Sequence, residues 1–231
     1  MKKIGYTILL FSSISFSNCD TIKAIGNTIL SQADAAAAIR EMLTMGTNGK
    51  SVFSKDVLMS AILPNEVNNV LQKLQQLGLS KEVDKFTYTL TEATNQTAAQ
   101  SVPIFIDGIK RMNIADAIGI VKNGGTAATD YLRKTVGDSV RNAVTPVMKT
   151  ALDQYNITSQ WNKLVAPAKL ALGNRVNLNL NIDNILASVV TNALFTKIAE
   201  QEVAVRTKAE ARTTPQLQRV FGTDWNNLGI K

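Results

Sequence analysis

The residues best suited to chemistry fall into two groups. Thr126, Asp130, Tyr131 and Arg133 lie close together, and Glu200, Glu202 and Arg206 follow much later in the chain. Carboxylates held opposite an arginine in a cleft can take up and return protons, so the sharp reading sets Asp130 and Arg133 against Glu200 or Glu202. The plain reading is electrostatic. Asp130 stands four residues before Lys134, a helical pair worth about 0.2–0.5 kcal/mol. Glu202 and Arg206 have the same spacing, and Arg206 with Arg212 flanks Glu210, as on a charge-laced exposed helix face. The plain reading is favoured, because two Glu residues on one helix are common and spacing alone cannot bring two helices together.

A second motif is Gly124-Gly125-Thr126. Free N–H groups and the helix dipole at a helix start attract anions. The stretch lacks the lysine of a P-loop, so a helix break followed by a threonine cap is the favoured reading. The chain has no histidine and a single cysteine, Cys19. Histidine general bases, Ser-His-Asp triads and His/Cys zinc sites are therefore excluded. No EF-hand-like ladder is present, and no cofactor is called for. The positive charges are dispersed, with no basic block or aromatic-studded stripe, which argues against nucleic acid as a partner.

Cys19 has its own chemistry. Met1-Lys2-Lys3 is a positive start, and the mostly apolar run from Ile4 to Phe16 is too short to span a bilayer as an ordinary helix. Together they read as a signal peptide over residues 1–18. Phe16-Ser17-Asn18-Cys19 resembles a bacterial lipobox, in which the cysteine sulfur takes a diacylglyceryl group and becomes the new N-terminus. Phe16 and Asn18 depart from the usual Leu and Gly or Ala, and the alternative reading is ordinary cleavage after Ser15-Phe16-Ser17 that leaves Cys19 a plain thiol. Removing Lys2 and Lys3 lowers the net charge from +7 to about +5. The address implied is the bacterial envelope, lipid-anchored and facing the periplasm.

The elements that must position these residues are helical. At 231 residues with an apolar fraction of 45%, the chain supports one domain with an aliphatic core. Residues 19–32 read as a tether, 33–222 as an all-α irregular bundle of about seven to eight helices, and 223–231 as a polar tail. Ala35, Ala38, Ile39, Met42 and Leu43 form one apolar strip, broken by Gly46 to Gly49. Pro64 opens a helix through Val67, Val70, Leu71, Leu74 and Leu77, with Gly78 as its left-handed cap. Ser80 starts the next, with Val83, Phe86, Leu90, Ala93 and Thr97 inward.

Pro103 then opens a separate short helix to Arg111. Asn113 with Asp116 reads as a capping box for another, ending at Lys122. From Thr126 a long helix, kinked at Pro146, turns Leu132, Val136, Val140, Ala143, Val147 and Ala151 inward. Thr158 or Ser159 starts a helix with Trp161, Leu164, Val165, Ala168 and Leu172, ended by Gly173. Residues 176–182 read as extended chain leading to Asp183 as a cap. A helix to about Lys208 and a last one at Thr214-Pro215, stopped by Gly222, complete the bundle.

Three stretches in this order carry a family resemblance. They are KLQQLGL after Pro64, PIFIDGIKRMNIADAIGIVKNGGTAATDYLRKT from Pro103, and IAEQEVAVR followed by ARTTPQLQRVFG. Together they resemble the bacterial domain-of-unknown-function family four-one-nine-seven over roughly Ser31 to Gly222. Gln201 departs from the family, which often has an acidic residue there. The resemblance implies an all-helical domain and a secreted or lipid-anchored envelope protein, and brings no activity or catalytic residue. The reading is thus an envelope lipoprotein with a non-enzymatic binding or scaffolding role. Its partners are the membrane, through the anchor, and an envelope protein or lipid. The alternatives are a helical binder of a lipid or small apolar ligand, and a carboxylate-based enzyme.

Overall fold

A computed structural model describes residues 29–47, 53–54, 56, 63, 65–172 and 182–225. The signal segment, Cys19, most of the tether, Pro64, Gly173, the extended stretch before Ile182 and the tail beyond Trp225 lie outside the described residues. Within them the chain is all-α. In order come α1 (Gln32–Gly46), α2 (Asn65–Gln76), α3 (Ser80–Arg111), α4 (Ala117–Asn123), α5 (Ala127–Gln154), α6 (Ile157–Leu172), α7 (Ile182–Thr207), a 3-10 turn (Ala209–Ala211) and α8 (Pro215–Gly222).

Four of these helices pack in sequence: α3 on α5, α5 on α7, and α7 on α1. Short α4 is held between α1 and α5, α8 lies against α1 and α7, and α6 bridges α3 and α5. The strip predicted for α1 is buried in full. Gly46, near its end, is required by packing: a Cβ there would stand 2.6 Å from the Ile198 Cα on α7. Gly78 takes φ +86° and ends α2, with the Leu79 N–H reaching back to the Leu74 carbonyl. Leu77, read as inward, is exposed.

The two helices expected at Ser80 and Pro103 are one, α3, with Pro103 in its interior. Proline removes a donor and costs a helix about 3 kcal/mol. Here the inward stripe from Val83 and Phe86 continues without a change of phase to Phe105 and Ile109. Packing of the first half on α5 and α6, through Thr97 on Met148 and Phe86 on Trp161, and of the second on α5 and α7, through Gly108 on Val140 and Phe105 on Phe195, outweighs that cost. The Thr-rich run in α3 has strand propensity, yet it is helical because its hydroxyls need no outside partner. Thr87, Thr91, Thr94, Thr97 and Ser101 are buried, and each donates to the carbonyl four residues back.

On α5 the buried face is Leu132, Val140, Val144, Met148, Ala151 and Leu152, so Ala143 is exposed and Val147 only half-buried. The inward stripe keeps stepping by four past Val140, whereas the sequence reading shifted its phase by one residue. The helix runs on through Pro146. α5 hands over to α6 at Asn156, whose φ of 52° lies in the left-handed region that asparagine tolerates. α6 therefore starts at Ile157, ahead of the Thr158 or Ser159 expected. α7 likewise begins at Ile182, which places Asp183 in its first turn.

Candidate functional site

The site is built where the chain breaks helix twice in quick succession, on either side of α4, at residues 112–116 and again at Gly124-Gly125. Each break leaves helix-end groups without partners. Asp116 caps α4, its Oδ1 accepting from the Gly119 N–H at 2.9 Å. The capping box expected from Asn113 does not form, because the helix starts at Ala117. The Asn113 carbonyl instead accepts from the Tyr131 hydroxyl at 2.6 Å. Gln32 of α1 adds a second cap, its Oε1 accepting from the N–H groups of Ala117 and Ile118. Arg40, also on α1, donates to the Met112 carbonyl at the end of α3.

The other two ends meet α7. Glu202 is fully buried, and the Arg206 side chain is 9% exposed. The Glu202 carboxylate accepts from Ala128 N–H at 2.9 Å, Thr129 N–H at 2.7 Å and the Thr129 hydroxyl at 2.7 Å. It also accepts from Arg206 Nε at 3.0 Å and Nη2 at 2.8 Å. Arg206 in turn donates to the Val121 carbonyl at 2.8 Å and the Ile120 carbonyl at 3.0 Å, at the end of α4. The Phe221 ring lies 5.2 Å from its guanidinium carbon. An anion thus sits at the start of one helix and a cation at the end of another, the arrangement that both helix dipoles favour.

This geometry corrects the exposed-face reading of Glu202 and Arg206. The first turn of α5 also has no donor left for an outside anion. Ala128 and Thr129 bond to Glu202, Ala127 to the Gly124 carbonyl, and Asp130 to the Thr126 carbonyl. Thr126 occupies the cap position, but its hydroxyl donates to Asp130 Oδ2 at 2.9 Å and caps no N–H. The cap comes instead from a residue far along the chain.

The polar cleft of Asp130 and Arg133 against Glu200 or Glu202 does not form. Asp130 is exposed and held by Thr126, with no pairing to Lys134. Arg133 donates to Asn192 Oδ1 at 3.2 Å and lies 4.6 Å from the Phe195 ring centre. Glu200 pairs on the surface with Lys197 at 2.7 Å. Arg212 turns from Glu210 to the Val205 and Arg206 carbonyls, where it caps the end of α7. Among the described residues no group of three or more Asp, Glu, His or Cys converges as metal ligands.

Sequence reasoning missed Gln32, Arg40 and Thr129. One signal for Glu202 was present: Val190, Leu194, Ile198 and Val205 mark the buried stripe of α7, and Glu202 falls within it.

A second ion pair joins separate helices. Arg219 of α8 donates to Asp34 Oδ2 of α1 at 3.0 Å. Asp34 also accepts from the Ser31 hydroxyl at 2.8 Å. The Ser31 hydrogen bond does most to hold its carboxyl below the ordinary value of 3.8; burial opposes it, and the hydrogen bond and charge of Arg219 add to the lowering. A depressed carboxylate contributes stability above its unfolded pKa and loses it as pH falls through the folded one. The melting-temperature gap between the parent and Asp34→Asn is therefore expected to be full at neutral pH and to close as the pH falls below the ordinary value of 3.8 and through the lowered one. Both partners are partly exposed, so the gap is small and shrinks with salt.

The fold and site define an all-α bundle whose helix breaks are closed by long side chains from α1 and α7. The family model described as protein of unknown function (DUF4197) matches residues 29–222, and the chain belongs to that family. Neither a curated protein nor a solved structure matches the chain.

Proposed function

We propose that this chain is a lipid-anchored protein of the bacterial cell envelope, working as a non-enzymatic binding or scaffolding module. The observation that carries the non-catalytic reading is the saturated Glu202 carboxylate. A carboxylate offers about four lone-pair sites, and five donors already converge on this one. A general base needs a free lone pair within reach of the substrate proton. The most buried acid of the described chain is thus engaged in holding helices together.

The anchor rests on Cys19, the sole cysteine, standing just after a basic start and an apolar run. Among the described residues no helix is long and apolar enough to cross a membrane. Two or more acyl chains, at about 0.8 kcal/mol per buried CH₂, would supply firm attachment in place of a span. Expression of the chain and of Cys19→Ser in a bacterial host, followed by membrane fractionation, tests this. The parent is expected in the membrane fraction, with the mass of its first peptide raised by the lipid. The serine variant is expected to leave that fraction. Equal fractionation of the two, or an unmodified sulfur at residue 19, would overturn the anchor.

A further inference from the structure

Among the described residues, Asn123 alone of the asparagines precedes a glycine, Gly124. The other such pair, Asn48-Gly49, lies outside them. An asparagine side chain can be attacked by the backbone nitrogen of the next residue, and a side chain on that residue hinders the approach. Glycine removes the hindrance. Here the space stays open after folding, since a Cβ built on Gly124 would meet nothing within 4 Å. Asn123 is exposed and Gly124 partly so. Lys122, Gly124 and Gly125 also border a cleft of about 320 Å³, ample for water to reach the peptide.

The second condition is freedom to turn. The attack needs Asn123 to leave helical ψ, and the last residue of a helix can do so without breaking the hydrogen bonds behind it. Asn123 is that residue in α4. Arg206 holds the Ile120 and Val121 carbonyls, so its grip ends before Asn123. Beyond Asn123 come two glycines with φ of 69° and 56°, the residue type with the widest backbone freedom. The hydrogen bond that follows, from the Ala127 N–H to the Gly124 carbonyl, is 3.2 Å and at the long end of the usual range. Asn95 shows the contrary case. It lies inside α3, and its amide is bonded to both the N–H and the carbonyl of Phe53.

We propose that Asn123 is a self-modifying site, at which the folded chain converts asparagine to aspartate and isoaspartate. Base takes the proton from the Gly124 nitrogen, which then bonds to the Asn123 Cγ. The side-chain nitrogen leaves as ammonia, and a succinimide ring remains. Water opens the ring. Addition at Cγ breaks the new N–C bond and gives aspartate. Addition at the backbone carbonyl breaks the original peptide bond and gives isoaspartate. Both products place a carboxylate at the C-terminal end of α4, which the helix dipole disfavours. Isoaspartate also lengthens the chain by a methylene between the carbonyls that Arg206 caps and the start of α5. The chain therefore ages into a form with a looser α4–α5 junction. This site stands or falls independently of the Cys19 anchor.

The test keeps the purified chain and a synthetic peptide of residues 116–129 in the same warm, mildly alkaline buffer. The same fragment is released from the chain by a protease that cuts before aspartate, and mass spectrometry follows its conversion. The protease cuts at a new aspartate and passes isoaspartate, so it separates the products. A reaction that waited for global unfolding would run about a thousandfold or more slower than in the peptide. Conversion within about a hundredfold of the peptide rate is expected, since terminal turns open locally at far lower cost. Isoaspartate is expected as the larger product. Asn123→Gln is expected to stay unconverted, and Asn123→Asp to melt below the parent. Conversion slower than about a hundredth of the peptide rate would overturn the site. An Asn123→Asp variant that melts with the parent would overturn the loosening of the junction.

Discussion

Glu202→Ala is expected to lower the unfolding free energy by about 3–5 kcal/mol, the range for a buried pair broken on one side. Two losses combine. Arg206 keeps its carbonyl partners but loses the carboxylate that neutralises it. The N–H groups of Ala128 and Thr129 lose their acceptor in a buried setting, at about 1–3 kcal/mol for each orphaned group. The Thr129 hydroxyl can turn to its own helix, so it adds little. Glu202→Gln preserves the shape and one acceptor oxygen but turns a donor toward other donors, so about half the effect is expected. Urea denaturation followed by helical circular dichroism measures both. A Glu202→Ala variant within about 1 kcal/mol of the parent would sink the claim that this residue joins α7 to the start of α5.

The reason the site was harder to read than the fold lies in the same residue. Apolar stripes at helical spacing are local, and they located Ala35 to Leu43, Val83 to Thr97 and Trp161 to Val165 correctly. Local capping chemistry also held at Thr214, whose hydroxyl accepts from the Leu217 N–H, and at Gly78. It failed where a cap comes from a distant part of the chain. Thr126 has the right residue type and the right place, yet the N–H groups it would cap are claimed by a carboxylate on another helix. Pro103 failed in the opposite sense, since a strong local stop signal was overridden by two buried half-helices that share one phase. The position of Glu202 in an apolar stripe was legible as an anomaly. What was illegible was its partner, because no spacing rule relates residue 202 to the backbone of residues 128 and 129.

The second large effect separates two roles for the pair. A buried ion pair replaced by apolar side chains of similar volume is often neutral, or stabilising by about 1–4 kcal/mol, since both desolvation penalties vanish together. If Glu202 and Arg206 served only each other, Glu202→Leu combined with Arg206→Met would follow that rule. The structure predicts the contrary. The double variant leaves four backbone groups without their side-chain partners: the N–H groups of Ala128 and Thr129 and the carbonyls of Ile120 and Val121. At about 1–3 kcal/mol each these outweigh the relief of desolvation, even after water reaches some of them. A net loss of about 2–4 kcal/mol is expected. Hydrogen exchange is expected to rise most in α4 and the first turn of α5, where the orphaned groups lie. A double variant as stable as the parent would show that the pair balances itself and leaves the helix ends to water. A loss confined to that segment would show that the ions are held in place for the backbone they cap.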